Sequence, residues 1–314
     1  MIESIDLSLE NIWRSWMSFR KGKKWSRELH AFQYHLESHL FQLFIDLNRG
    51  KYHHGPYRQF NVSDNKRRVI SVSSVRDRVL HRLVYDYLDL LFDHRFIFDA
   101  WSCRKGKGLS KAIGRAQYFL RSSNTSVWRG DIQKFFDHVD HGILLDFLER
   151  VVKDTKALHL LKIIISSFEV FPNKGIPIGN LTSQIFSNIY LHELDRYVKH
   201  ILKVKAYLRY GDDFLVLHSD MEKLKNIRSQ IQSFLKHTLN LSLHPRNNLI
   251  LSSQEGIRFL GVVLYLKGRR LTKRNRKRIF KKLNLPNVSS YYGLIAQHEP
   301  RKLKEFFWRT AKQI

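Results

Sequence analysis

A chain of 314 residues and 37.5 kDa has room for about two domains, and 43% hydrophobic with 13% aromatic residues excludes an intrinsically disordered polymer. Its 55 Lys and Arg against 28 Asp and Glu leave a formal net charge of +27 and a pI near 10.2. Such a charge repels itself unless a polyanion offsets it, so nucleic acid is the expected partner. One cysteine, Cys103, excludes an intramolecular disulfide and a cysteine-built zinc site, which fits a reducing, cytoplasmic setting, and its thiol is read as inert. The start Met1-Ile2-Glu3-Ser4-Ile5-Asp6 has no basic leader, and no later stretch reaches the ~18 apolar residues of a membrane span. Neither export nor a membrane partner is expected. His192-Glu193 lacks the second histidine of a zinc-protease helix, so no histidine metal site is expected either.

In chain order, Leu29, Phe32, Leu36, Leu40, Leu43 and Phe44 recur at three-to-four spacing behind Arg20, Lys21, Lys23, Lys24 and Arg27. The pattern predicts a helix with a basic edge. Val62 to Val75, β-branched and interrupted by Asp64-Asn65, reads as a hairpin, and Val79 to Phe92 resumes helical spacing. From about residue 126 the pattern becomes strand, helix, helix, hairpin. Ser126 to Ile132 reads as a strand ending at Asp131; beyond Phe135-Phe136, Asp140 can cap a helix carrying Ile143, Leu144, Phe147 and Leu148. Gly175 to Leu191 is a turn feeding a helix, capped by Asn180 or Thr182, with Ile185 and Ile189 toward the core. Lys205 to His218 is a hairpin with Gly211-Asp212-Asp213 at its tip. A small helical lobe is placed from about 268 onward. Its basic run from Lys267 to Lys282 contains no acid and reads either as a solvated helix face or, because it lacks counter-charges, as a nucleic-acid contact.

Acids at a hairpin tip are often plain turn formers. The tetrapeptide Tyr210-Gly211-Asp212-Asp213 is much less common by chance, and Asp131 at a strand end gives it a partner. If that strand lies beside the hairpin, Asp131 and Asp212 can hold two Mg²⁺ about 4 Å apart, the arrangement of two-metal phosphoryl transfer. Asp131, Asp212 and Asp213 are therefore the candidate catalytic residues.

Asp131-Ile132-Gln133-Lys134-Phe135-Phe136 and Tyr210-Gly211-Asp212-Asp213 resemble motifs A and C of reverse transcriptases, in the right order and separation. The resemblance extends over about residues 60 to 295. It implies an α+β right-hand polymerase: fingers, an antiparallel-sheet palm flanked by helices, and a small helical thumb. Fingers and palm would occupy 1–265, with palm motifs from about 126, and a basic thumb 266–314. It implies two Mg²⁺ held by Asp131, Ile132, Asp212 and Asp213, with Mn²⁺ able to substitute, and as partners an RNA template, a DNA or RNA primer and dNTPs. Arg68 to Arg78 is similar to the fingers segment, where Lys66 and Arg68 would hold the triphosphate, as opposed charges should. Phe135, Phe136, Ile178 and Gly179 would line the nucleotide, Phe136 excluding a 2′-hydroxyl and so choosing deoxynucleotides over the ribonucleotides of RNA-dependent RNA polymerases. Arg104, in a block whose glycines let backbone approach nucleic acid, would meet the template with Ile178, Ser183 and Gln184. Phe259, Leu260 and Gly261 look like the primer grip. Arg269, Arg270, Lys273, Arg274, Arg276, Lys277 and Arg278 would bind nucleic acid. After His244-Pro245 relatives usually carry a lysine, a candidate general acid; this chain has Asn247 and Asn248, and Arg246 is too weak an acid to replace it.

Most reverse transcriptases have Gln-Gly where this chain has Ile178-Gly179, and an aliphatic residue there with Ser183-Gln184 is similar to the enzymes of diversity-generating retroelements. That resemblance implies error-prone copying of a template-repeat RNA at template adenines. It also implies a pentameric accessory variability determinant protein and a non-coding template RNA as partners. Ile178 offers dispersion where glutamine offers a hydrogen bond, so correct and incorrect pairs would differ less in energy, unless Ile178 merely packs a loop. A group II intron enzyme is disfavoured by Ile178 and by the expectation that no endonuclease or maturase-length extension follows residue 295. A retron enzyme is disfavoured by the missing Val-Thr-Gly signature. Abortive-infection and CRISPR-associated polymerases, and a catalytically idle nucleic-acid-binding scaffold, are the alternatives.

Overall fold

Ser8 and Ser26 open the first two helices by accepting hydrogen bonds from backbone N–H groups three residues on, giving α1 (Leu9–Arg20) and α2 (Arg27–Tyr34). His35, at φ −113° and ψ 38°, interrupts the helical backbone before α3 (Leu36–Asn48). The apolar series expected to form one helix is thus divided between two, Leu29 and Phe32 in α2 and Leu40 and Leu43 in α3, all buried. The computed structural model describes residues 4–63, 67–122, 126–299 and 301–311, with the side chains of Arg67 and Lys302 also left aside.

The expected hairpin is present but starts earlier: β1 (Arg58–Ser63) pairs antiparallel with β2 (Arg67–Val72), from Arg58 opposite Val72 to Ser63 opposite Arg67. Ser74 belongs to the next element, its hydroxyl accepting the Asp77 N–H to cap α4 (Val75–Phe92). After α5 (Leu109–Ser122) comes β3 (Ser126–Asp131). The stretch before the hairpin is more helical than the periodicity suggests, with α6 (Phe135–His138), α7 (His141–Val151), α8 (Thr155–Ser166) and α9 (Leu181–Arg196). Asp140 caps α7 as expected, accepting from Gly142 and Ile143 N–H. Asn180 stands at the N-cap of α9 without capping it; its amide donates to the Ser71 carbonyl and its oxygen accepts from the Ser73 hydroxyl, tying the β1–β2 hairpin to this helix.

The hairpin β4 (Ala206–Tyr210) and β5 (Asp213–His218), followed by α10 (Met221–Thr238) and β6 (Leu249–Ser252), completes an antiparallel sheet of order β4-β5-β3-β6. Alternation sends Trp128, Tyr207, Phe214 and Val216 to one face, into a core shared with α4 and α7 to α10. Val127, Leu208, Leu215 and Leu217 go to the other, into a second core with α5 and the C-terminal elements. Those elements are a three-stranded sheet, β7 (Ile257–Phe259), β8 (Val262–Tyr265) and β9 (Gly268–Leu271), then α11 (Lys273–Lys281), α12 (Val288–His298) and α13 (Arg301–Ala311). The lobe expected to be helical from 268 therefore begins as a strand paired to β8, and the basic run is divided between β9 and α11. The architecture is α+β with antiparallel sheets. Among the described residues no helix is long and apolar enough to cross a membrane.

Candidate active site

Strand β3 runs beside the hairpin, and its register sets Asp131 directly opposite Asp213. The two strands approach closely where Gly130 faces Phe214: a Cβ on Gly130 would lie 2.2 Å from the Phe214 ring, so any side chain there would push the acids apart. Across the tip, Tyr210 pairs with Asp213, leaving Gly211 and Asp212 as a two-residue turn. Gly211 has φ +63°, the left-handed backbone that the first position of such a turn requires.

Asp212 titrates at about 6, well above an ordinary aspartate, because burial penalises its charge and because Asp131 and then Asp213 repel it; Arg68 opposes the shift. The group offers oxygen ligands alone, the donors that Mg²⁺ and Mn²⁺ take. The residues therefore fit a divalent cation, with Asp131 and Asp212 as the pair that would hold it. The third acid, Asp213, accepts from the Arg129 guanidinium at 2.9 Å. Among the described residues no three acid, histidine or cysteine side chains gather as a metal cluster, so the geometry is two carboxylates with a third turned to an arginine. Ile132 is 2% exposed, which leaves only its main chain for a cation, and its N–H donates to the Asp212 carbonyl at 3.3 Å.

The turn is clamped from behind by groups the sequence did not single out. Arg209 and Asp195 form an ion pair, both side chains 0% exposed, at 2.6 Å, and Tyr207 donates its hydroxyl to the same carboxylate at 2.7 Å. Arg209 also donates to the Gly211 carbonyl and to Asn188, while the Gly211 N–H donates to Ser102 Oγ at 2.9 Å. The two peptide groups flanking Gly211 are thus held by a hydrogen-bonded network. Asp131 has its own restraint. The segment after α10 is strapped to it by His244 N–H donating to the Asp131 carbonyl, and Asn247 Nδ2 donates to Asp131 Oδ2 at 2.6 Å. Asn248 accepts from the Trp128 indole at 2.7 Å. The two asparagines noted as a departure thus anchor this loop to β3.

Of the other predicted residues, Arg68 is exposed and near enough to Asp212 to lower its pKa, whereas Lys66 lies outside the described residues. Phe136 is half-buried with its ring against Phe135; Phe135 is 1% exposed and packs on Tyr190, so its side chain belongs to the core and not to a nucleotide pocket. Ile178 is half-buried and its carbonyl accepts from Ser71 N–H, bringing Gly179 against β2. Ser183 is buried and its hydroxyl has no partner among the described residues, while Gln184 is exposed. Arg104 corrects the sequence reading: its guanidinium is engaged by Asp93 and by the carbonyls of Ile97 and Ala100, with the side chain 8% exposed, so it braces its own loop and cannot meet a template. Phe259 is buried, and Leu260 and Gly261 form the two-residue β7–β8 turn with φ of +47° and +85°. Of the basic run, Arg270, Lys273, Arg274 and Lys277 are exposed; Arg269, Arg276 and Arg278 are half-buried, Arg276 facing Glu299 at 4.0 Å.

Residues 59–264 match the family model described as reverse transcriptase (RNA-dependent DNA polymerase). Among curated proteins, the chain is 23% identical to the putative COX1/OXI3 intron 2 protein of Saccharomyces cerevisiae, over 71% of this chain and 34% of that one. It is 24% identical to protein YkfC of Escherichia coli, over 69% and 68%. It is 22% identical to the group II intron-encoded protein LtrA of Lactococcus lactis, over 77% and 52%. The chain thus spans between 34% and 68% of the length of these relatives. The structure of apo telomerase from Candida tropicalis superposes with a TM-score of 0.53 at 12% identity, over 84% of this chain and 57% of that one, a likeness of fold.

Proposed function

Because this chain belongs to the reverse transcriptase (RNA-dependent DNA polymerase) family, we propose that it extends a primer with deoxynucleotides along an RNA template. The observation that carries the reading is the apposition of Asp131 with the Asp212-Asp213 tip, where burial first and then the neighbouring acids raise the Asp212 pKa to about 6. In the reaction a primer 3′-oxygen bonds to the α-phosphorus of a dNTP, the bond from that phosphorus to its bridging oxygen breaks, and pyrophosphate leaves. Asp131 and Asp212 would hold the divalent ions, whose chemistry is to acidify the 3′-hydroxyl and neutralise charge on the phosphorus. Arg68 would face the triphosphate, a role the family resemblance also gives to Lys66, with Phe136 toward the sugar and the Phe259-Leu260-Gly261 turn toward the primer. Residues 266–314 act as a basic thumb.

Within the family, the reading is the polymerase of a diversity-generating retroelement, error-prone at template adenines and partnered by an accessory variability determinant and a non-coding RNA. Ile178-Gly179 with Ser183-Gln184 supports it. A second reading, an intron-type polymerase, is favoured by the relatives themselves, an intron-encoded protein of Lactococcus lactis and a putative intron protein of Saccharomyces cerevisiae.

The test is primer extension by the purified chain on an RNA template with Mg²⁺ and dNTPs, beside Asp212→Ala, with the cDNA sequenced. Extension that dies with the variant, with errors concentrated opposite adenine and reduced by Ile178→Gln, is expected. Accurate extension selects the intron-type reading, unchanged adenine errors in Ile178→Gln refute the role given to that residue, and no extension even with accessory protein and RNA leaves a scaffold.

A further inference from the structure

Away from the carboxylates, the turn between α1 and α2 borders a hollow of about 740 Å³ walled by Trp13, Met17, Trp25, Arg20, Lys21 and Lys23. Trp13 is 45% exposed and Trp25 51%, an unusual position for the largest apolar side chain in the absence of a partner. The Arg20 guanidinium already lies 4.5 Å over the Trp25 ring. Among the described residues no carboxylate pairs with Arg20, Lys21 or Lys23; the nearby Glu10 and Glu28 are taken by Arg14 and Arg78.

This hollow does not end at the helices. A second one, of about 280 Å³, shares Ser18, Lys21 and Lys23 with it and continues past Arg82 to Gly179, Asn180 and Gln184. A basic track with exposed indoles at its outer end therefore leads from the N-terminus of α9, beside the Ile178 loop, to the α1–α2 turn. We infer that single-stranded RNA occupies this track: the template ahead of the site passes Gly179 and Gln184, its phosphates meet Lys21 and Lys23, and its bases stack on Trp25 and Trp13. Flat bases on a polyanionic chain match both the rings and the cations, whereas an acidic peptide matches only the cations. These helices lie before residue 59, outside the stretch that matches the family model.

The inference rests on the template-copying reading, and a binding measurement separates the two. A fluorescent primer annealed to RNA with a 5′ overhang of about two or about twelve nucleotides is titrated with the full chain and followed by anisotropy. The long overhang should bind about tenfold more tightly, from stacking and added phosphate contacts. Trp13→Ala with Trp25→Ala should abolish that increment and leave short-overhang affinity unchanged, and Trp25→Phe in place of Trp25→Ala should restore part of it. Lys21→Ala with Lys23→Ala should lower the salt slope of the long-overhang complex by about one per lost phosphate contact. An increment that survives the double indole variant, or is absent from the native chain, overturns the assignment. So does an increment displaced as well by poly-glutamate as by poly-uridine RNA. An increment in a chain that never extends primers keeps the track and defeats the polymerase reading; extension with no increment does the reverse.

Discussion

The centre of the molecule and its rim use arginine and lysine in opposite ways. Around the Gly211-Asp212 turn four guanidinium groups have an acid: Arg209 with Asp195, Arg129 with Asp213, Arg115 with Asp99, Arg104 with Asp93. These pairs orient backbone, and the most buried of them holds the Gly211 carbonyl. At the rim, the α1–α2 turn and the exposed cations Arg270, Lys273 and Lys277 have no carboxylate within ion-pair distance among the described residues. Part of the basic excess behind the +27 charge is therefore left without carboxylate partners at the rim, where a polyanion can reach it.

The contrast breaks most sharply at Arg209. Replacing it by leucine leaves Asp195 buried and uncompensated, at a cost of about 3–5 kcal/mol in denaturant unfolding, and Arg209→Leu with Asp195→Leu should recover much of it. A loss below about 1 kcal/mol in the single variant would mean that the pair is solvated in solution.

Next is Asn247, whose amide donates to the Asp131 carboxyl group, a hydrogen bond worth about 1–3 kcal/mol. Asn247→Ala should raise the Mg²⁺ concentration for half-maximal extension about tenfold, with a parallel loss of Mn²⁺ affinity by electron paramagnetic resonance. Asn247→Lys should weaken Mn²⁺ further, since an ammonium there competes with the ion.

Asp212 gives a smaller effect with a defined sign. Its folded pKa of about 6 exceeds the unfolded value, so the native state binds its proton more readily, and stability without divalent ions should rise as pH falls from about 7 toward 4. Asp212→Asn makes that gain permanent, about 1–2 kcal/mol or some 3–5 °C in Tm at pH 7, and should remove the Tm rise on adding Mg²⁺. Buried His81, held down to about 3 chiefly by desolvation and then by His54, works in the other direction, since stability is lost as pH falls below 6.5. The Asp212 contribution is therefore read as native minus variant across the pH range. Smallest in stability is the rim: Arg270→Ala, Lys273→Ala and Lys277→Ala should each stay within about 0.5 kcal/mol, while each lost phosphate contact lowers the salt slope of RNA binding by about one.

The strand and hairpin that carry the three acids were legible because their signal is local: alternation, a glycine turn and acids at strand ends. The helix cap at Asp140 was legible for the same reason. What escaped depends on partners far apart in sequence. Asn247 reaches Asp131 across 116 positions, and Arg209 in a strand reads as a solvated cation until helix α9 brings Asp195 to it. Arg104 was misread because a glycine-flanked cation looks free, and only the fold shows Asp93 and two carbonyls around it. The basic run was misread as wholly helical because lysine and arginine say little about strand or helix; the pairing of β9 with β8 decides it. At His35 three-to-four spacing continued through a break that no glycine or proline marks.

Cys103, the sole cysteine, follows Ser102, whose hydroxyl holds the Gly211 N–H. It is exposed at φ +52°, with burial of its surroundings pushing the thiol up. The chain thus carries its own single labelling position beside the Gly211-Asp212 turn. A maleimide spin label attached at mildly alkaline pH would watch that turn while template, nucleotide and metal are added, without engineering another cysteine away.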